Sequence, residues 1–212
     1  AKDFDCSVLN GKRFINLDSE AEGSIWISCA GGLSAYSRIP VQRVEAEGTL
    51  LTIKISGLMG GHSGAEIDKN RANANVLMGR FLYGLKKKCE YELVSVNGGQ
   101  KDNAIPRECT AVLAVGEESV SEILSYASWL QGKLREEYTG SDEGITVSVE
   151  NEGVKQTEIM HPTSRERVLF YLINVPFGVL KMSGTIEGLV ETSNNIGILK
   201  TDDNEVLAVS SV

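Results

Sequence analysis

Histidine is almost missing from these 212 residues, with only His62 and His161 present. There is no HxD pair, no HExxH, no CxxC and no phosphate-binding P-loop. A zinc site needs three or four His, Cys or carboxylate ligands in a workable arrangement, and this chain alone does not offer one. The GxSxG elbow of serine hydrolases is absent too. The four cysteines, at 6, 29, 89 and 109, lie far apart, as expected of reduced thiols rather than a disulfide framework. No apolar run approaches the roughly 18 residues of a membrane span, and no signal peptide opens the chain. A cytoplasmic protein with no membrane contact is the expectation. Basic surface is scarce: the formal net charge is -8, which argues against a nucleic-acid partner. The single basic run, Lys86 to Lys88, reads as a solvated helix end. Low-complexity linkers are also lacking, and 139–144 reads as a surface loop.

What is present is a dense alternation of strand and helix signals. A short apolar run at 13–17 ends on Asp18, as a strand delivering an acidic group at its C-terminal end. Branched residues predict strands over 25–29 and 49–55, then 91–96 and 109–115. Ser63 with Glu66 has capping-box spacing, and Ile67, Ala74, Leu77, Phe81 and Leu85 mark one face of a helix over about 64–87. The same spacing in Ser119 with Glu122 announces a second helix, whose buried stripe runs Val120, Ile123, Leu124, Ala127, Leu130 and Leu134. A strand over 145–149, a helix opened by Thr163 with Glu166, and strands over 178–182, 188–199 and 205–212 complete the pattern. The order between 49 and 149 is ferredoxin-like, and the remaining elements suffice for much of a second such unit, though no sequence repeat supports duplication. The fold class expected is α+β, an antiparallel sheet with helices packed on one face.

Candidate chemistry is confined to a few positions. His62 sits in Gly60-Gly-His-Ser-Gly64 just before a predicted helix. It is either a turn histidine of no consequence or an uncrowded imidazole that meets a developing anion. His161, ahead of Pro162, reads as a loop histidine. Asn97-Gly-Gly-Gln100 is a strong turn signal, followed by Asn103-Ala-Ile-Pro-Arg107. This is either a hairpin loop stiffened by Pro106 or a place where Asn103 and Arg107 offer donors to a carboxylate.

Several segments together resemble the aminoacyl-histidine dipeptidases (peptidase D, carnosinase-like), a branch of the two-zinc peptidase and deacylase superfamily. They are Ile15-Asn-Leu-Asp-Ser-Glu-Ala-Glu-Gly23, Cys29-Ala-Gly-Gly32, Gly57-Leu-Met-Gly-Gly-His-Ser-Gly64 with Arg71-Ala-Asn-Ala-Asn75, Asn97-Gly-Gly99, Asn103-Ala-Ile-Pro-Arg-Glu108 and Val190-Glu-Thr-Ser193. The similarity runs almost end to end. It implies a lid, or substrate-covering and dimerising, domain over 24–212, preceded by a remnant of the zinc-binding domain over 1–23. Both ends of the sequence read as cuts.

The resemblance also implies roles. Asp18 would ligate zinc in the full-length enzyme, and His62 would stabilise the oxyanion of the tetrahedral intermediate. Asn103 would hold the substrate, and Asn195, with Thr192 and Ser193, would lie near the cleft. Two zinc ions, a bridging water and dipeptides of the Xaa-His type belong to the complete enzyme. The HxD pair, adjacent glutamates and late histidine of that family are absent here, so this chain alone is expected to be inactive and metal-free. Its partners would be the missing catalytic domain and a second copy in a homodimer. A stand-alone ferredoxin-like module for binding or dimerisation is the competing expectation.

Overall fold

The computed structural model describes residues 5–8, 10–13, 15, 22–23 and 29–212. Most of the strands expected over 13–17 and 25–29, and Asp18 itself, lie outside the described residues. Two units divide at Gly31 and Gly32. In the first, the described part holds a 3-10 turn, Cys6–Val8, where the amide of Ser7 donates to Asp5.

The second unit, 32–212, is built on alternation. In β2 (Arg43–Ser56) Leu51, Ile53 and Ile55 are fully buried, while Thr52, Lys54 and Ser56 between them are not. A period of two puts one set on a covered face and the other toward solvent. The same holds in β6 (Cys109–Val115), which pairs with β2 in antiparallel register from Thr49 opposite Val115 to Ile55 opposite Cys109. Each such Leu or Ile contributes about 1.5–3 kcal/mol when withdrawn from water. β4 (Glu92–Gly98) lies on the far side of β6, and β7 (Thr146–Met160) on the far side of β2. With α2 (Ala74–Leu85) and α3 (Val120–Glu137) this is the ferredoxin-like unit expected from the sequence.

The remaining elements do not form a second unit with its own sheet. β1 (Ser34–Pro40), β9 (Val190–Thr201) and β10 (Glu205–Ser211) extend the same sheet, in the order β1-β10-β9-β4-β6-β2-β7, and β8 (Gly178–Met182) pairs with β9. The seam between β9 and β4 is held by one backbone pairing, Gly98 opposite Leu199, continued by side chains. Thr201 Oγ1 accepts from Val96 N at 2.9 Å and donates to Val96 O at 2.7 Å, and Thr201 N donates to Asn97 Oδ1 at 2.8 Å. α4 (Pro162–Asn174) packs on α2. One core, with Phe81, Leu77, Met78 and Leu82 of α2 at its centre, joins helices and sheet. On the opposite sheet face Leu50, Ala114 and Ile159 form a small separate patch.

Helix starts depart from the expected spacing in an instructive way. α4 is capped by His161, whose Nδ1 accepts from Thr163 N at 3.3 Å, with Pro162 in the first turn; Thr163 is not the cap. Ser119 precedes α3 but makes no side-chain cap bond, because a 3-10 turn, Glu117–Ser119, already leads into it. Leu124, placed in the α3 stripe by spacing, is exposed, and Tyr126 is buried in its place.

The helix expected over 64–87 is broken. α1 is one turn, Ser63–Glu66, followed by a 3-10 turn, Ile67–Lys69. Asn70 then turns left-handed (φ 51°) and Asn73 is extended. Asn73 Oδ1 accepts from Asn75 N and Val76 N and restarts the helix as α2. A short amide that bonds the local backbone competes with helix propagation, which is why asparagines favour such starts.

Two glycine substitutions test the layer geometry in opposite directions. Helix propensity favours alanine over glycine by about 0.8–1 kcal/mol. At Gly79 of α2, however, a Cβ would stand 2.8 Å from Leu172 Cβ and 3.2 Å from Leu172 O of α4. At Gly132 of α3 nothing lies within 4 Å of that position. Gly79→Ala therefore lowers the urea midpoint, whereas Gly132→Ala raises stability by about 0.5–1 kcal/mol. A Gly79→Ala protein as stable as the parent would mean that α2 and α4 do not meet there.

Candidate functional site

The connection from β2 to α2, residues 57–73, and the connection from β4 to β6, residues 99–108, come together at one end of the ferredoxin-like unit. Two short strands, β3 (Gly61–His62) and β5 (Ala104–Ile105), join them, with Gly61 opposite Ile105 and His62 opposite Ala104. Ser63 N donates to Asn103 O at 3.0 Å and Ala74 N to Pro106 O at 3.1 Å. Between these segments lies a cleft of about 930 Å³, lined by His62, Lys101, Asn103, Arg107 and Glu108 together with residues 97–99.

Local bonds determine how His62 meets that cleft. It is the N-cap of α1, and its Nδ1 accepts from Gly64 N at 3.0 Å. A neutral imidazole with Nδ1 accepting carries its proton on Nε2, so the exposed ring presents an N–H donor. Its own backbone N–H donates to Glu66 Oε2 at 3.0 Å, and Arg71 grips the other oxygen of Glu66 at 2.7 Å. That bond from His62 is the main reason the Glu66 carboxyl is held below its ordinary range. A second Arg71 nitrogen donates to Gly60 O. The anticipated help from a long helix dipole is not there, because α1 is a single turn.

Asn103 and Arg107 are exposed and line the same cleft as His62. Among the described residues, neither side chain is engaged by a hydrogen bond or ion pair, and the same holds for Lys101. The acid in the cleft, Glu108, is paired with Lys54 at 2.6 Å. In a chain of net charge -8 this cleft is a local excess of cation and N–H donors, suited to an anion. Cys109 also lines the cleft but is buried, and burial pushes its thiol far above the usual range, which disfavours the reactive thiolate.

Asn195 does not face the cleft. It is 1% exposed, and both ends of its amide are occupied. Its Nδ2 donates to Asp102 O and Ala104 O, both at 2.9 Å, and its Oδ1 accepts from Asn73 Nδ2 at 3.1 Å. Expected to bind substrate, Asn195 here holds the loop that carries Asn103 from behind, and it is not among the residues that line the cleft. Asn73 and Asn75 also donate to Ile196 O at 3.1 Å. This buried amide group was not read from the sequence as such, although Asn73 ahead of an apolar helical stripe is a recognisable cap signal. Gly99 (φ 68°) lets the loop lie against β9, where any Cβ would sit 1.9 Å from Gly197 O. Among the described residues no three His, Cys, Asp or Glu side chains converge as a metal site would require.

Residues 53–141 match the peptidase dimerisation domain, the stretch that runs from β2 through α3. Over 93% of its length the chain is 35% identical to the cytosol non-specific dipeptidase of Escherichia coli (strain K12), of which it covers 41%. Its fold superposes on the crystal structure of aminoacylhistidine dipeptidase from Vibrio alginolyticus with a TM-score of 0.86 and 32% identity, covering 97% of this chain and 42% of that one. The stretch 53–141 is thus similar to a peptidase dimerisation domain, and the chain as a whole is similar to one part of these dipeptidases, as its motifs suggested. It spans about two fifths of the length of these relatives.

Removing the Asn195 amide tests the support behind the cleft. Asn195→Ala strands two carbonyls and the Asn73 amide, at a cost of about 1–3 kcal/mol. Asn195→Asp costs more, because a carboxylate then faces two carbonyl oxygens. Urea unfolding reads both, and equal midpoints for parent and Asn195→Asp would show that the amide is not engaged as described.

Proposed function

We propose that this chain is the lid of a metal-dependent dipeptidase, supplying an oxyanion donor and substrate-holding groups to a catalytic domain that contains the metal ions. The observation that carries this reading is the cleft itself. An imidazole held as an Nε2–H donor shares it with the Asn103 amide and two cations, Arg107 and Lys101, that find no partner among the described residues. The names of both relatives, a non-specific dipeptidase and an aminoacylhistidine dipeptidase, support dipeptides as substrates, Xaa-His among them.

The metal is assigned to residues other than those described, which do not converge on an ion. We infer zinc, as two ions, with Asp18 contributing one ligand in the full-length enzyme and 1–23 belonging to that catalytic domain. The work assigned to 24–212 needs no metal of its own. Peptide hydrolysis gathers negative charge on the former carbonyl oxygen, and His62 Nε2–H donates to it there. Arg107 and Asn103 hold the substrate, Arg107 through its carboxylate. Closure of the lid excludes water and strengthens each of these interactions. The match to a dimerisation domain supports a homodimer, and the name of the cytosol relative supports a cytoplasmic setting.

His62→Ala in the full-length enzyme tests the assignment. Loss of one oxyanion donor costs about 10²–10³ in kcat. Because the charge develops mainly in the transition state, KM moves far less. Metal content and melting temperature measured on the same preparation stay near the parent values. A kcat within a few-fold of the parent, or loss of metal, rules out this role for His62.

A further inference from the structure

The loop bearing His62 leaves the sheet after β2 and returns at α2, and one side chain holds both of its ends. Asp142 is 1% exposed, in the turn between α3 and β7. Its Oδ1 accepts from Met59 N at 2.7 Å, where the loop departs, and its Oδ2 accepts from Ala72 N at 2.8 Å, where it returns. Among the described residues no cation pairs with this carboxylate. Two backbone N–H groups thirteen residues apart are its ligands instead, and a carboxylate suits both because each of its oxygens accepts. The backbones also close up beside it: a Cβ on Gly57 (φ 79°) would lie 2.1 Å from Gly144 O.

We propose that Asp142 is a positioning residue that acts through His62, a role that rests on the lid reading above. From Met59 the chain passes through Gly60, whose carbonyl Arg71 holds, to His62. From Ala72 it passes back through Arg71 to Glu66, which holds the backbone N–H of His62. Arg71 and Glu66 belong to the loop and shape it, but they cannot anchor it to the sheet. The tip is tied to 103–105 and the neck to Asp142. Releasing the neck frees the ring to move within the cleft, and a displacement of about 1 Å at a catalytic group can cost about 100-fold in rate.

Asp142→Asn preserves shape but turns one acceptor into an N–H₂ that opposes a backbone N–H. In this chain, amide exchange at Met59, Ala72 and Gly64 then speeds up at least about tenfold, while the β2 and β6 amides keep their protection. The ¹⁵N signals of His62 shift from the Nε2–H form toward a tautomer mixture. Unchanged ring signals, or a uniform loss of protection, overturn the proposal. In the full-length enzyme the variant lowers kcat by about 10- to 100-fold, and the loss vanishes when His62 is already alanine. An equal loss in both backgrounds, or none in either, also overturns it. Should Asp142→Asn not fold, Asp142→Glu, which keeps both acceptors on a longer arm, takes its place in the same measurements. If His62→Ala alone leaves kcat unchanged, the lid reading fails, while exchange and ring signals still judge the clasp by themselves.

Discussion

The cleft stands on a pair of buried amides, Asn73 and Asn195, bonded to each other across the boundary between the ferredoxin-like unit and its sheet extension. Asn73 spends its oxygen on the start of α2 and its nitrogen on Asn195 and the backbone of β9. Asn195 spends its nitrogen on the two carbonyls that flank Asn103. Between them, helix, sheet extension and site loop are placed by hydrogen bonds that have no water to fall back on. An unpaired group in such a place costs far more than a bond at the surface contributes. That asymmetry makes the arrangement specific as well as stable.

Charge follows a similar logic of contrast. Most acids of this chain are solvated, and many meet a lysine or arginine across the surface, pairs of small individual worth. At the cleft the pattern reverses. Glu108 is drawn off by Lys54 and Glu66 by Arg71, which leaves Arg107, Lys101, the Asn103 amide and the His62 N–H without a competing acid among the described residues. An acidic chain thus keeps a concave region able to receive an anion.

Much of the fold was legible from the sequence because burial on one face imposes a period of two on strands and 3.6 on helices. The strands at 109–115 and 178–182 have the bounds their composition suggested. β7 was under-read, since 150–156 is a polar, exposed edge held by pairing with β2 and not by a core of its own. β1 was missed for a related reason: its side chains are largely exposed, and β10 supplies its partner bonds. The break at 70–73 escaped because the apolar spacing continues through it, while the left-handed Asn70 and the cap at Asn73 leave no mark on that period.

By itself the sequence determined the class of fold, the core positions, and the two glycine-rich segments that carry His62 and Asn103, because hydrophobic period and turn chemistry are local properties. Tertiary structure decided which of the polar residues face the cleft. Asn103 and Asn195 are the same residue type, yet one is open to the cleft and the other is sealed behind it. Asp142, in what reads as an ordinary polar turn, is bonded to a loop 70 to 83 residues away in the chain. A polar side chain takes its role from the backbone groups brought within about 3 Å of it, and for these residues only the folded chain brings those groups near.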